Sequence, residues 1–124
     1  MESKVTVTIT SFNRVDLLER TLDSFLRFNT YPIKRFIITE DSGLPGIQDK
    51  LIEKYKELNI TWILNPANLG QHRSVDNMYE LVDTDYIFHC EDDWQFIKGG
   101  FIEKSLDILE KEPNVLQVWI RGLN

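Results

Sequence analysis

The chain has 124 residues and a mass of 14.6 kDa, with 42% hydrophobic and 27% charged residues, the proportions of one ordinary globular domain with a single core. Fourteen Lys and Arg against twenty Asp and Glu give a net charge of -6. That balance argues against nucleic acid as a partner, because backbone phosphates need a basic face, but it leaves room for a small anion neutralised locally by a metal. The single cysteine, Cys90, forms no internal disulfide and suits a reducing compartment. MESKVTVTIT lacks the apolar core of a signal peptide, and no apolar run approaches the ~20 residues of a membrane span. The expectation is a cytoplasmic protein.

In chain order, KVTVTIT at 4–10 alternates, with Val5, Val7 and Ile9 on one face of a strand. After Ser11, Phe12, Asn13 and Arg14 comes a helical stripe of Leu17, Leu18, Thr21, Leu22, Phe25 and Leu26, for which Asn13 is the expected N-cap. RFIIT at 35–39 is a second strand, broken by Asp41-Ser42-Gly43-Leu44-Pro45-Gly46. Ile47, Leu51, Tyr55 and Leu58 share a second helix face. ITWIL at 60–64 is a third strand, stopped by Asn65-Pro66. Asn68-Leu69-Gly70 opens a third helix with Val75, Met78, Tyr79 and Val82 inward. YIFHC at 86–90 runs into Glu91-Asp92-Asp93, a helix follows at 99–111, and VLQVWI at 115–120 reads as a last strand.

This alternation predicts a mostly parallel, twisted α/β sheet with helices on both faces. Such sheets bind ligands beyond the carboxyl ends of their strands, where the strand order reverses. The segments that matter are therefore Thr10 to Arg14, Glu40 to Gly43, and Glu91 to Asp93. Three adjacent carboxylates repel one another unless a cation compensates, and hard oxygen donors suit Mg²⁺ or Mn²⁺ bridging to a diphosphate. The same triplet also reads as a solvated acidic turn at a helix N-terminus. Asp41 is placed to accept from a base or a ribose, although Asp-Ser-Gly is also plain turn chemistry. Thr10, Ser11, Phe12 and Asn13 contain no glycine-rich phosphate cradle, so Walker and dinucleotide fingerprints are excluded. His89 alternates with apolar residues and reads as a satisfied, half-buried side chain rather than a ligand. Arg73 and Asn77 follow a helix start that is able to hold a diphosphate.

VTVTITSFNR, LLERTLDSFL, RFIITEDSG, NLGQHRSVDN and DYIFHCEDDW, in that order and over about Val5 to Ile120, resemble the GT-A glycosyltransferases, most closely family 2. EDDW followed by a helix is also similar to the N-acetylglucosaminyltransferase I family, and these residues alone do not separate the two. The resemblance implies a Rossmann-like donor half that binds a nucleotide-diphosphate sugar, UDP-sugar before GDP-sugar. It implies Mn²⁺ or Mg²⁺ at a DXD-type motif in which Asp93 and Glu91 are metal ligands and the middle acid, Asp92, turns toward the protein or a ribose. Thr10, Ser11, Phe12, Asn13, Asp41 and, in the helix after Gly70, Arg73 fall at nucleotide-sugar positions. Transfer to an acceptor hydroxyl, usually with inversion, is then expected, from a family base that lies well beyond the metal motif. Residues 1–124 thus read as one domain without the acceptor-binding half. A non-catalytic binding or interaction domain of the same fold is the alternative. An exposed edge strand would favour a homodimer.

Overall fold

The structure, a computed structural model, describes residues 3–112. They form β1 (Val5–Ser11), α1 (Val15–Phe28), β2 (Arg35–Glu40), α2 (Asp49–Lys54), β3 (Ile60–Leu64), α3 (Gln71–Glu80), β4 (Tyr86–Glu91) and α4 (Phe101–Lys111). The strand expected at 115–120 lies outside the described residues. β1 pairs in parallel with both β2 and β4, and β2 with β3, in the order β3-β2-β1-β4. The chain adds strands on one side of β1 and then crosses to the other. Strand order therefore reverses at β1, between β2 and β4, which opens a crevice at their carboxyl ends.

Period-two alternation in β1 gives the sheet two different faces. Val5, Val7 and Ile9 join Phe36, Ile38 and Cys90 in a core closed by Leu18, Leu22 and Phe25 of α1, Leu51 of α2, and Ile102 and Leu106 of α4. Phe25 is the centre of this layer, with its ring 5.5 Å edge-on from Phe36 and 5.3 Å edge-on from Phe96. Edge-to-face pairs of this kind add about 0.5–1.5 kcal/mol beyond the area they bury. Burial also pushes the Cys90 thiol well above its usual range, so it packs as a small hydrophobe.

The opposite face carries Thr6, Thr8, Thr10, Ile37 and Thr39, all buried, and is covered by α3 through Met78 and Ser74. The inward positions of α3 are thus Ser74 and Met78, while Tyr79, expected inside, is exposed. A polar sheet face selects a helix face with a hydroxyl in it, and the apolar pattern alone did not carry that information. A smaller shift occurs in α2, where the inward row is Gln48, Leu51 and Tyr55 rather than one starting at Ile47. Among the described residues no helix is long and apolar enough to cross a membrane.

Candidate functional site

The carboxyl ends of β1, β2 and β4 and the start of α3 enclose a cleft of about 240 Å³. Thr10, Phe12, Arg14, Thr39, Asp41, Gly70, Gln71, Ser74, Glu91 and Asp92 are among the residues that line it. It lies at the reversal of strand order, where the sequence places it.

The first wall is built on Glu40, the last residue of β2, whose side chain is 1% exposed. Its carboxylate accepts from the Asn13 N–H at 2.9 Å, the Ser42 N–H at 3.1 Å, the Ser11 hydroxyl at 3.2 Å and the Gln48 amide at 2.5 Å. Neutral donors alone satisfy this buried charge, and together they tie the β1–α1 loop to the β2–α2 loop. Asn13 consequently does not cap α1. It takes a left-handed φ of 52°, which asparagine tolerates better than most residues, and its side chain is exposed. The residue at the helix cap position is Arg14, which makes no side-chain cap bond.

Asp41 lies next to this anchor and is also buried, with 7% of its surface exposed. Oδ1 accepts from the Asn65 amide and the Leu69 N–H, each at 2.8 Å, and Oδ2 accepts from the Gly70 N–H at 3.0 Å. Burial pushes the carboxyl up, but the bonds from Leu69, Asn65 and Gly70 outweigh it and hold the group below its ordinary range. The sequence offers Asp41 as a base or ribose contact or as plain turn chemistry; in the structure it is the clamp of the β3–α3 loop and also lines the cleft. Gly43 allows the close approach behind it, because a Cβ there would meet the Pro66 carbonyl oxygen at 3.0 Å with φ at +75°. On the cleft floor the fully buried Thr39 hydroxyl has no protein partner among the described residues, which leaves it able to donate to or accept from a ligand.

The acids after β4 have three different environments. Glu91, on the threonine face, accepts from Thr10, from Gln71 at 2.8 Å and from His89 Nε2 at 3.3 Å. The His89 contact, working against desolvation and helped by Thr10 and Gln71, holds its carboxyl below the usual range. His89 itself bonds Thr8 through Nδ1 at 2.8 Å, so it is the satisfied strand histidine that its alternation predicts.

Asp92 turns into the protein and is 1% exposed. Arg14 donates to it from Nε at 3.1 Å and from Nη2 at 2.6 Å, and the Phe12 N–H adds a third bond at 3.2 Å. Of the two directions left open for the middle acid, toward the protein or toward a ribose, its carboxylate takes the first. Asp93 lies just beyond the cleft-lining residues, half exposed, and among the described residues its one ion pair is to Arg14 at 3.8 Å. The backbone that follows is stapled to α1. The Thr21 hydroxyl, with one proton to give, lies 2.7 Å from the Trp94 carbonyl oxygen, 2.8 Å from that of Asp92 and 3.0 Å from that of Leu17 in its own helix, and Ser24 accepts from the Phe96 N–H at 3.0 Å.

Of the residues singled out in the sequence, Thr10, Ser11, Phe12, Asp41, Glu91 and Asp92 meet at one cleft, and Asn13 is beside it as a loop hinge. Arg73 is not brought in. It is exposed, and Gln71 and Ser74, on the neighbouring stripe of α3, line the cleft instead. Arg14, Glu40, Thr39 and Gln71 were not assigned roles from sequence. Arg14 alone carried a usable signal, as a cation one residue past a strand-end loop facing an acidic run.

A parallel sheet reversing at β1, with a polar, acid-lined cleft at the strand ends, defines a Rossmann-like α/β protein. The chain belongs to glycosyl transferase family 2, whose pattern it matches over residues 6–123. It is 31% identical over 110 residues to beta-1,4 N-acetylgalactosaminyltransferase 1 of Mus musculus and 28% identical to that of Homo sapiens. These alignments cover 88% of this chain but only 19% of each relative, so the chain spans about a fifth of their length. In fold it is similar to S. aureus TarS 1-349 in complex with UDP, with a TM-score of 0.72, 14% identity, and 89% of this chain and 33% of that one covered. It is also similar to the mannosyltransferase PcManGT from Pyrobaculum calidifontis in complex with GDP-Man and Mn2+, with a TM-score of 0.63, 16% identity and coverage of 75% and 28%.

Proposed function

We propose that residues 1–124 form the donor-binding domain of a glycosyltransferase that takes a nucleotide-diphosphate sugar, with a UDP-sugar preferred and a GDP-sugar next. One observation carries the reading. Three carboxylates (Asp41, Glu91, Asp92) line the cleft against one cation, Arg14, whose Nε and Nη2 are both committed to Asp92. Such a cleft repels a bare diphosphate, so a nucleotide that fits here brings a divalent cation with it.

The donor set suits Mn²⁺ or Mg²⁺ of the kind that keeps its waters and is held by one or two carboxylates plus phosphate oxygens. Among the described residues no group of three acidic, histidine or cysteine side chains is placed to hold a metal ion, so the ion would rest on one or two carboxylates, and Asp93 retains exposed carboxylate oxygens. In this proposal Asp93 and Glu91 hold the ion, which would supply neutralisation of the leaving nucleoside diphosphate. Thr10, Ser11, Phe12 and Asn13 line the nucleoside, Asp41 holds the loop against it and offers Oδ2, and the Thr39 hydroxyl is the free hydrogen-bonding group beneath. Asp92 keeps the loop and the acidic turn together.

Transfer to an acceptor hydroxyl with inversion completes the reading, with the general base outside the described residues. Glu103, Asp107 and Glu110 on α4 bond Thr30, Lys111 and Lys4 at the surface, and none lines the cleft. A thermal-shift panel of UDP-, GDP- and dTDP-sugars with and without Mn²⁺ tests the proposal, since a ligand specific for the native state raises its stability. The largest rise is expected for a UDP-sugar with Mn²⁺. No rise with any nucleotide in either condition would overturn it.

A further inference from the structure

Arg14 joins the start of α1 to the end of β4 at the edge of the cleft, and its geometry is that of a clasp. Its backbone carbonyl receives the Leu18 N–H at 2.9 Å, which fixes the residue to the first turn of α1. Its side chain then reaches across to the end of β4, where Nε and Nη2 grip the two oxygens of Asp92. A guanidinium fork of this kind fixes orientation as well as distance, which a lysine ammonium does not do. Seven residues along the same helix, Thr21 holds the Asp92 carbonyl. Asp92 is therefore held by α1 at both its side chain and its backbone, while Asp93 receives only the 3.8 Å contact from Nη1.

We infer that Arg14 is the positioning residue of the acidic turn: clasping Asp92, it sets the direction in which Asp93 is presented to the cation, without contacting the nucleotide sugar. This rests on the nucleotide-sugar reading above. Nε and Nη2 are not open to a diphosphate, because turning them toward a phosphate would strip the buried Asp92 carboxylate of its counter-charge. Arg14 also explains how three consecutive acids are tolerated. The inner one is neutralised from α1, Glu91 is bonded by Thr10, Gln71 and His89, and the outer one, with no close partner among the described residues, is left as the main ligand for the metal.

The test uses the full 124-residue chain, with R14K keeping the charge but losing the fork and R14Q losing both. UDP is titrated calorimetrically with Mn²⁺ and again with EDTA. The expected result for R14K is a loss of about tenfold in the affinity measured with Mn²⁺, the size of effect seen when a partner behind a metal ligand is removed. Its UDP affinity in EDTA and its melting temperature should stay at the wild-type values, and R14Q should lose more of the metal-linked affinity than R14K. An R14K variant that binds like wild type in both conditions would overturn the inference while leaving the nucleotide-sugar reading intact. Equal losses with and without Mn²⁺ would also overturn it, because they would mark Arg14 as a direct ligand contact or a general prop of the fold. A wild-type chain that binds UDP in neither condition would remove the inference and the functional reading together.

Discussion

The ends of β2 and β4 both carry consecutive acids, and the protein treats the two runs in opposite ways. At β2, Glu40 and Asp41 are buried and satisfied by neutral donors, seven bonds in all, from four backbone N–H groups, two amides and a hydroxyl. At β4, the inner acid is paired with an arginine and the outer one is left half exposed with a distant partner. Neutral donors spread over several loops build a scaffold, because losing one acid orphans groups on several segments. A single cationic partner beside an open carboxylate leaves a charge for something outside the protein. The same residue type therefore marks a satisfied scaffold at one strand end and an open charge at the other.

The largest expected effect lies on the architectural side. Glu40→Ala leaves the buried donors of Ser11 and Gln48 and the part-buried N–H groups of Asn13 and Ser42 without their acceptor, and it should cost about 3 kcal/mol or more. Urea denaturation measures this. A loss no larger than that of a surface substitution would break the contrast between the two ends.

Asp41→Asn should cost less, about 1–2 kcal/mol, since the amide keeps one acceptor oxygen but loses the charge that strengthens the bonds from Leu69 and Gly70. This variant also has a pH signature. The folded carboxyl lies below its ordinary value of 3.8, so its stabilisation is fully present above that value and is lost as pH falls through the lowered one. The stability difference between wild type and Asp41→Asn should therefore shrink on acidification below pH 3.8 and stay constant at neutral pH. Thr21→Val removes the hydroxyl that joins α1 to the Asp92 and Trp94 carbonyls and should cost about 1 kcal/mol. Chemical denaturation at neutral pH checks it. The smallest effect on stability belongs to Asp93→Ala. It should leave the ligand-free chain as stable as wild type or slightly more so, because one of three mutually repelling acids is removed and no cap is lost.

Much of this arrangement is legible in the sequence. The alternation of KVTVTIT with helical stripes fixes the α/β class, and Glu91 to Asp93 at the end of an apolar strand locates the cleft. What was hidden are the partners across the fold. Asn13 has the residue type of a helix cap, but Glu40, 27 positions away, takes its N–H and leaves it left-handed. Asp41 sits in a turn-like sequence, yet Asn65, Leu69 and Gly70 return from another strand to bury it. In the helix after Gly70, Arg73 is the obvious cation, but α3 must lay Ser74 and Met78 on a threonine-rich face, and that rotation turns Arg73 outward. Local pattern identifies the elements and their polarity. It does not report which carboxylate is already taken.

The central claim is that Asp93 is the main ligand left for a metal while Asp92, next to it, serves the protein. Calorimetry of UDP with Mn²⁺ on wild type and Asp93→Ala, with thermal unfolding of both ligand-free chains, tests it most directly. The account predicts that Asp93→Ala loses most of the Mn²⁺-linked affinity while its unfolding temperature does not fall. Equal UDP affinities in the two proteins, or a variant that unfolds earlier by the ~1 kcal/mol of a lost helix cap, would contradict it.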